Sequence, residues 1–211
     1  WKEMAQQVAH EIKNPLTPMK LTLQMMQREK DVDELQEMST YLLEEIEGLT
    51  SIAEAFSRFA QMPSLRLETH DISYLSNRAV ALYSDRGVQF ISDGPVYASV
   101  DKEQWSRIIH NLVKNALQSV PADRKPEIMV RVQRAPGKGI ISVIDNGTGV
   151  PDEMKERVFE PNFTTKSSGM GLGLAMVRNL IQNFGGTIDF ENKRRGAAFT
   201  ITIPTQQNNL S

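Results

Sequence analysis

Val8-Ala-His-Glu-Ile-Lys-Asn-Pro-Leu-Thr-Pro-Met-Lys-Leu-Thr-Leu-Gln-Met-Met26 decides how the chain begins. Val8, Ile12, Leu16, Met19, Leu23 and Met26 recur at steps of four and three, the spacing of a helix with one coiled-coil-like apolar stripe. Pro15 and Pro18 each remove a helical hydrogen bond. A helix starting only at Pro15, with His10 in a loop, is the competing reading. The unbroken spacing from Val8 favours one helix through both prolines. A second stripe, Leu42, Ile46, Leu49, Ala53, Phe56 and Ala60, predicts a second helix after the polar turn Arg28 to Asp33, with Asp33 as its cap. A short turn makes the pair antiparallel. Two such helices cannot bury both stripes alone, so a dimeric four-helix bundle is expected over residues 1–62. A hairpin packed on the rest of its own chain is the alternative.

The bulk composition narrows the rest. The chain has 211 residues, 40% hydrophobic, a formal net charge of −2 and no cysteine. A packed core is possible, general nucleic-acid binding is disfavoured, and disulfides and thiolate metal sites are excluded. No apolar run approaches the roughly 20 residues of a membrane span, so no membrane contact is expected of this stretch. The sequence opens on Trp1 inside a predicted helix, without an initiator Met or a signal peptide. It therefore reads as a cytoplasmic fragment, whose parent is open to an inner-membrane anchor in segments outside this sequence.

From about residue 65 the pattern changes. Strands are expected at 66–70, 88–91, 96–100, 127–133, 139–145, 187–191 and 197–203. Helices are expected from Asp71 to about Ser84, from Asp101 to about Val120 and over 171–184, the last ended by Gly185-Gly186. Strands grouped at both ends with helices between them predict an α+β sandwich over 65–205, one sheet covered by helices on one face.

Three groups of residues carry chemistry. On the first helix, His10 and Asn14 each fall roughly 160° from the apolar stripe and about 40° from each other, with Glu11 on the flank. A lone helical His is ordinarily packed or solvated. An exposed imidazole beside a carboxylate is instead oriented and kept basic, as attack on a phosphoryl group requires. On the helix after Asp101, Asn111 and Asn115 lie one turn apart on one face. Two surface amides would look the same, but a carboxamide oxygen also suits Mg²⁺. Lys114 or Lys166 could offset phosphate charge. The third group is a pair of glycine turns. Asp145-Asn-Gly147-Thr-Gly149 follows an apolar strand, so the carboxylate can accept from an exocyclic amine while the glycines admit a flat ring. Gly169-Met-Gly171-Leu-Gly173 opens a helix whose amides suit phosphates. A Rossmann fingerprint fits it poorly, because no apolar strand leads into Gly169. Val158 to Ser168, with Phe159 and Phe163 as anchors, is expected to form a mobile lid.

In this order the groups resemble the sensor histidine kinases of two-component systems over nearly the whole chain, and most of all their nitrogen-regulation branch. His10-Glu11-x-x-Asn14-Pro15 is similar to the phospho-acceptor box, and Asn111-x-x-x-Asn115 to the asparagine box. Asp145-x-Gly-x-Gly, Phe159 to Phe163 and Gly169 to Gly173 are similar to the boxes that follow. The resemblance implies a dimeric helical hairpin followed by a Bergerat-type ATP-binding sandwich. It implies a protein-histidine kinase that uses ATP and Mg²⁺, with a homodimer and a response-regulator receiver domain as partners. His10 would be the nucleophile, Glu11 its orienting base, and Asn14 would position water for dephosphorylating the partner. Asn115 would hold Mg²⁺, Asp145 the adenine and Lys166 the terminal phosphates. Met170 and Gln118 depart from the family, which commonly has Thr and Lys there. An ATP-binding clamp or scaffold of the same superfamily, and a phosphatase-dominant variant, are the competing functions.

Overall fold

The computed structural model describes residues 2–60, 65–155, 157–160 and 172–206, with the side chains of 2–8, 10, 11, 51, 52, 54–60, 152 and 172 outside the description. Two compact units result, a helical hairpin and a sheet-containing unit.

The hairpin is α1 (Lys2–Met26) and α2 (Val32–Ala60). α1 runs through both Pro15 and Pro18, as the apolar spacing predicts. It ends in a turn where the Arg28 and Glu29 amides both donate to the Met25 carbonyl. The cap of α2 is Asp31, not Asp33. Asp31 Oδ1 accepts from the Asp33 and Glu34 amides at 2.9 and 3.3 Å. α1 stops early enough for the chain to start again two residues sooner than the charge pattern suggests. Met19 and Leu42 are buried in the hairpin. Leu16, Leu23 and Ile46 of the same stripes are about half exposed, at 47%, 52% and 47%.

The second unit contains β1 (Glu68–Asp71), α3 (Ile72–Ala81), β2 (Val88–Ser92), β3 (Tyr97–Val100), α4 (Lys102–Ser119), β4 (Ile128–Ala135), β5 (Lys138–Ile144), α5 (Leu172–Asn183), β6 (Thr187–Asn192) and β7 (Ala197–Pro204). Five strands form one sheet in the order β2-β4-β5-β7-β6, with β2 parallel to β4 and the other pairs antiparallel. Alternation buries Val130, Val132, Ile141, Val143, Ile201 and Ile203 on one face and leaves Ser142 and Thr200 bonded hydroxyl to hydroxyl on the other. α4 packs on β4 and β5, α5 on β6 and α3 on β2. The fully buried Trp105 of α4 donates its Nε1 hydrogen to Ser76 of α3 at 3.1 Å.

Three details differ from the sequence reading. β1 and β3 do not join the main sheet but form a separate two-stranded ladder, with Glu68 opposite Val100. α3 stops at Ala81, and the chain then turns to Gly87 at φ 77, where a Cβ would meet the Pro126 carbonyl oxygen at 2.2 Å. β1 begins only at Glu68, since the Arg66 amide is drawn off to Asp101 Oδ2 at 3.0 Å.

That last bond makes Asp101 a junction. Its Oδ1 caps α4 by accepting from the Glu103 and Gln104 amides. Burial pushes the Asp101 carboxyl up, but the amides of Arg66, Gln104 and Glu103 and the Arg66 charge outweigh it and hold it below the usual range. A depressed folded-state pKa stabilises the fold above the unfolded value of about 3.9, and the gain is lost as pH falls through the folded value. Asn caps a helix about as well as Asp but does not titrate. Asp101→Asn is therefore expected to destabilise the unit by about 1–2 kcal/mol at neutral pH and to flatten the acid limb of its urea midpoints. Midpoint curves that run parallel in the two proteins down to about pH 3 would refute this.

Candidate functional site

The hairpin carries the first group of residues. His10, Glu11 and Asn14 all stand on α1, and helical geometry puts His10 and Asn14 about 40° apart on one face. Asn14 is exposed, while Ile12 is half-buried and Met19 buried. The side chains of His10 and Glu11 lie outside the described residues.

In the second unit the strand end of β5 delivers Asp145 into the interior, where it is 4% exposed. Its Oδ1 accepts from the Gly147 amide at 2.8 Å, the Ser119 hydroxyl at 3.1 Å and the Ala197 amide at 3.3 Å. Among the described residues Oδ2 has no hydrogen-bond partner. A buried carboxylate with one saturated and one open oxygen is poised to accept from a ligand N–H. The glycines around it are required by space. A Cβ at Gly147 would meet Ser119 Oγ at 2.1 Å, and one at Gly149 (φ +74) would meet Asn192 Oδ1 at 3.0 Å. One turn thus brings Asp145, Gly147 and Gly149 together, as the sequence predicts.

α4 extends the site. Asn111, Asn115 and Ser119 follow one another at intervals of four along one face. From Ser119, beside Asp145, to Asn111 is about 12 Å along the helix axis. At the Asn111 end a Cβ on Gly173 would lie 3.3 Å from Asn111 Oδ1, so the start of α5 rests against that carboxamide. Asn111 Nδ2 donates to the Arg107 carbonyl at 2.8 Å, which aims the oxygen toward Gly173. Asn115 is half-buried, and among the described residues its carboxamide makes no hydrogen bond. A hard oxygen donor in that state fits a Mg²⁺ ion whose other ligands are phosphate oxygens and water. Exposed Lys114 and Asn111 line a groove of about 270 Å³ with Tyr83, Glu103, Ser106, Arg107 and His110. His110 meets Tyr83 through Nδ1 and the phenol oxygen at 3.2 Å, and burial pushes its imidazole down.

Lys166, Gly169 and Gly171 lie outside the described residues, as does the stretch 161–168 of the segment expected to form a lid. Its first aromatic, Phe159, packs edge-on to Phe190 and Phe199 with ring centres 6.1 and 6.2 Å apart, under the Arg178 guanidinium. Phe163 lies outside the description.

Sequence reasoning missed Ser119, Asn192 and Arg124. Asn192 bridges Val150 in both directions, accepting from its amide at 2.9 Å and donating to its carbonyl at 2.7 Å. Arg124 Nη1 donates to the Asn146 and Gly147 carbonyls from behind the turn. Each contact joins segments roughly 20 to 40 residues apart, which no local pattern announces.

Comparison with known proteins agrees with this layout. A model of histidine kinase-, DNA gyrase B- and HSP90-like ATPases matches residues 100–207, and one of His Kinase A phospho-acceptor domains matches residues 1–64. The chain is 30% identical to the nitrogen regulation protein NtrY of Azorhizobium caulinodans over 98% of its own length and 29% of that protein's. It is 30% identical to the signal transduction histidine-protein kinase AtoS of Escherichia coli, over 96% of the chain and 34% of the relative. The chain thus spans about a third of the length of these relatives. The crystal structure of histidine kinase ThkA in complex with the response regulator TrrA superposes with a TM-score of 0.70 at 25% identity, covering 97% of this chain and 61% of that one.

Proposed function

We propose, from the premise that the chain belongs to the histidine kinase-, DNA gyrase B- and HSP90-like ATPases and carries a His Kinase A phospho-acceptor domain ahead of that ATPase domain, that it is the catalytic core of a two-component sensor histidine kinase. ATP binds the second unit, residues 65–205. Its γ-phosphoryl group passes to a His10 nitrogen, the bond to the β-phosphate oxygen breaks, and ADP leaves. The phosphohistidine then passes the group to an aspartate of a response-regulator receiver domain.

The observation that carries the reading is the buried Asp145, which keeps one oxygen open at a turn where Gly147 and Gly149 present no side chains. It accepts from the adenine amine. The row from Ser119 through Asn115 to Asn111 then leads the triphosphate toward Gly173, and Gly169 and Gly171 of the same motif are assigned to phosphate binding. Lys114 and Lys166 balance phosphate charge. Asn115 holds Mg²⁺, which when bound neutralises charge on the phosphate oxygens. On α1, Glu11 keeps the His10 ring basic and oriented, and Asn14 holds a water for removing phosphate from the partner. The half-exposed Leu16, Leu23 and Ile46 support a homodimer in which residues 1–62 form a four-helix bundle. Among the described residues no helix is long and apolar enough to cross a membrane.

Asp145→Asn tests the nucleotide reading. An ionised carboxylate makes a charge-assisted bond to the amine, and Asn loses that charge and brings a competing donor. ATP is expected to bind about 10- to 100-fold more weakly, while inorganic triphosphate loses little. Calorimetry with both ligands decides, and equal loss for both removes Asp145 from base recognition.

A further inference from the structure

Ser119 is the last residue of α4, and it grips the Asp145 turn at two points. Its carbonyl accepts from the Thr148 amide at 3.1 Å. Its hydroxyl lies 3.1 Å from Asp145 Oδ1 and 2.7 Å from the Ala116 carbonyl oxygen. A hydroxyl has one hydrogen, and both neighbours are acceptors. When the hydrogen points at Ala116, two oxygen lone pairs face each other beside a buried charge. When it points at Asp145, it becomes the third donor on Oδ1 and fixes the carboxylate plane. The terminal torsion of an Asp side chain is broad and roughly two-fold, so the plane needs such a hold. The other two donors, the Gly147 and Ala197 amides, both belong to the backbone around the turn. Ser119 is the side chain among the three.

We propose that Ser119 is a positioning residue that sets base selectivity. Its hydroxyl occupies Oδ1, leaving Oδ2 as a single directed acceptor that requires a hydrogen-bond donor on the base. A purine with an amino group at C6 satisfies it. One with a hydrogen or a carbonyl oxygen there leaves a buried carboxylate oxygen unmatched, a costly state. The inference rests on Asp145 as the adenine contact and adds the group that aims it. Gly147 is part of the same arrangement, because a Cβ there would lie 2.1 Å from the Ser119 hydroxyl oxygen.

The test uses the 211-residue chain and two ligands, ATP and purine riboside triphosphate, which lacks the 6-amino group. In the wild type ATP should bind at least tenfold more tightly than the analogue, the margin expected for a hydrogen bond to a charged group. Ser119→Ala should bind ATP about tenfold more weakly and the analogue almost unchanged, so the ratio collapses. Ser119→Thr, which keeps the hydroxyl, should restore the ratio. Thermal melts of each variant verify that the fold is intact. An unchanged ratio in Ser119→Ala, or equal weakening of both ligands, overturns the proposal and leaves Ser119 a structural helix end. A wild-type chain that does not distinguish the two ligands overturns the reading of Asp145 itself, and the proposal falls with it.

Discussion

His10→Ala is expected to abolish incorporation of label from γ-labelled ATP. The wild-type chain with Mg²⁺ should take up label that is lost in acid and kept in base. That pattern marks a phosphoramidate, because protonating its nitrogen in acid creates a good leaving group. The chain has three histidines, and the other two are committed elsewhere. His70 lies in β1, with Nε2 3.5 Å from a Glu68 carboxylate oxygen. His110 is half-buried against Tyr83, with ring centres 5.7 Å apart. Only His10 stands on the helix that also carries Asn14. A nucleophile cannot be replaced by its neighbours, so the loss should reach the detection limit rather than a fraction. His70→Ala serves as the control and should keep its label. Equal labelling of the His10→Ala chain would refute the acceptor assignment.

Gly196→Ala is expected to remove ATP binding and destabilise the second unit together. Gly196 has φ +79, and a Cβ there would lie 2.0 Å from the Asp145 carbonyl oxygen and 2.6 Å from Asp145 Oδ1. Neither atom is free to retreat, since the Asp145 amide is held by the Ala197 carbonyl at 2.9 Å and Oδ1 by three donors. Left-handed strain costs about 1–2 kcal/mol and overpacking about 1–3 more, so a total of about 2–5 kcal/mol is expected. In a unit of this size that lowers Tm by about 10 °C. Gly137→Ala separates the two costs, because Gly137 has φ +72 but nothing within 4 Å of its added Cβ. It should lose only the conformational part and bind ATP normally. If Gly196→Ala melts no earlier than Gly137→Ala, the turn yields more easily than its geometry implies.

The legible parts of this molecule were those where chemistry is local. Apolar spacing carried α1 through Pro15 and Pro18, and capping chemistry placed Asp71 and Asp101, whose Oδ1 atoms both accept from the next turn's amides. The motif Asp145-x-Gly-x-Gly located the tight turn after β5, because a glycine's freedom and an Asp at a strand end are properties of single residues. What failed was a matter of partners. Residues 66–70 and 96–100 read correctly as extended chain, but strand propensity does not name the strand across the ladder. Asp33 lost the cap to Asp31 because the choice depends on where α1 stops. Ser119 fell unremarked inside the helix expected to about Val120, and its partner Asp145 lies 26 residues further on.

The three donors to Asp145 Oδ1 come from residues 119, 147 and 197. A chain is made from its N terminus and folds as its segments emerge. The carboxylate has its helix-end hydroxyl and its own turn long before Ala197 exists. During that interval the turn lacks the strand that closes it, and Gly196 is not there to seat against the Asp145 carbonyl. Any nascent or truncated product ending before β7 therefore owns the hairpin and α4 but an Asp145 turn that is not yet closed. Synthesis itself orders the assembly: of the contacts that hold the Asp145 carboxylate, the one from β7 is the last to form.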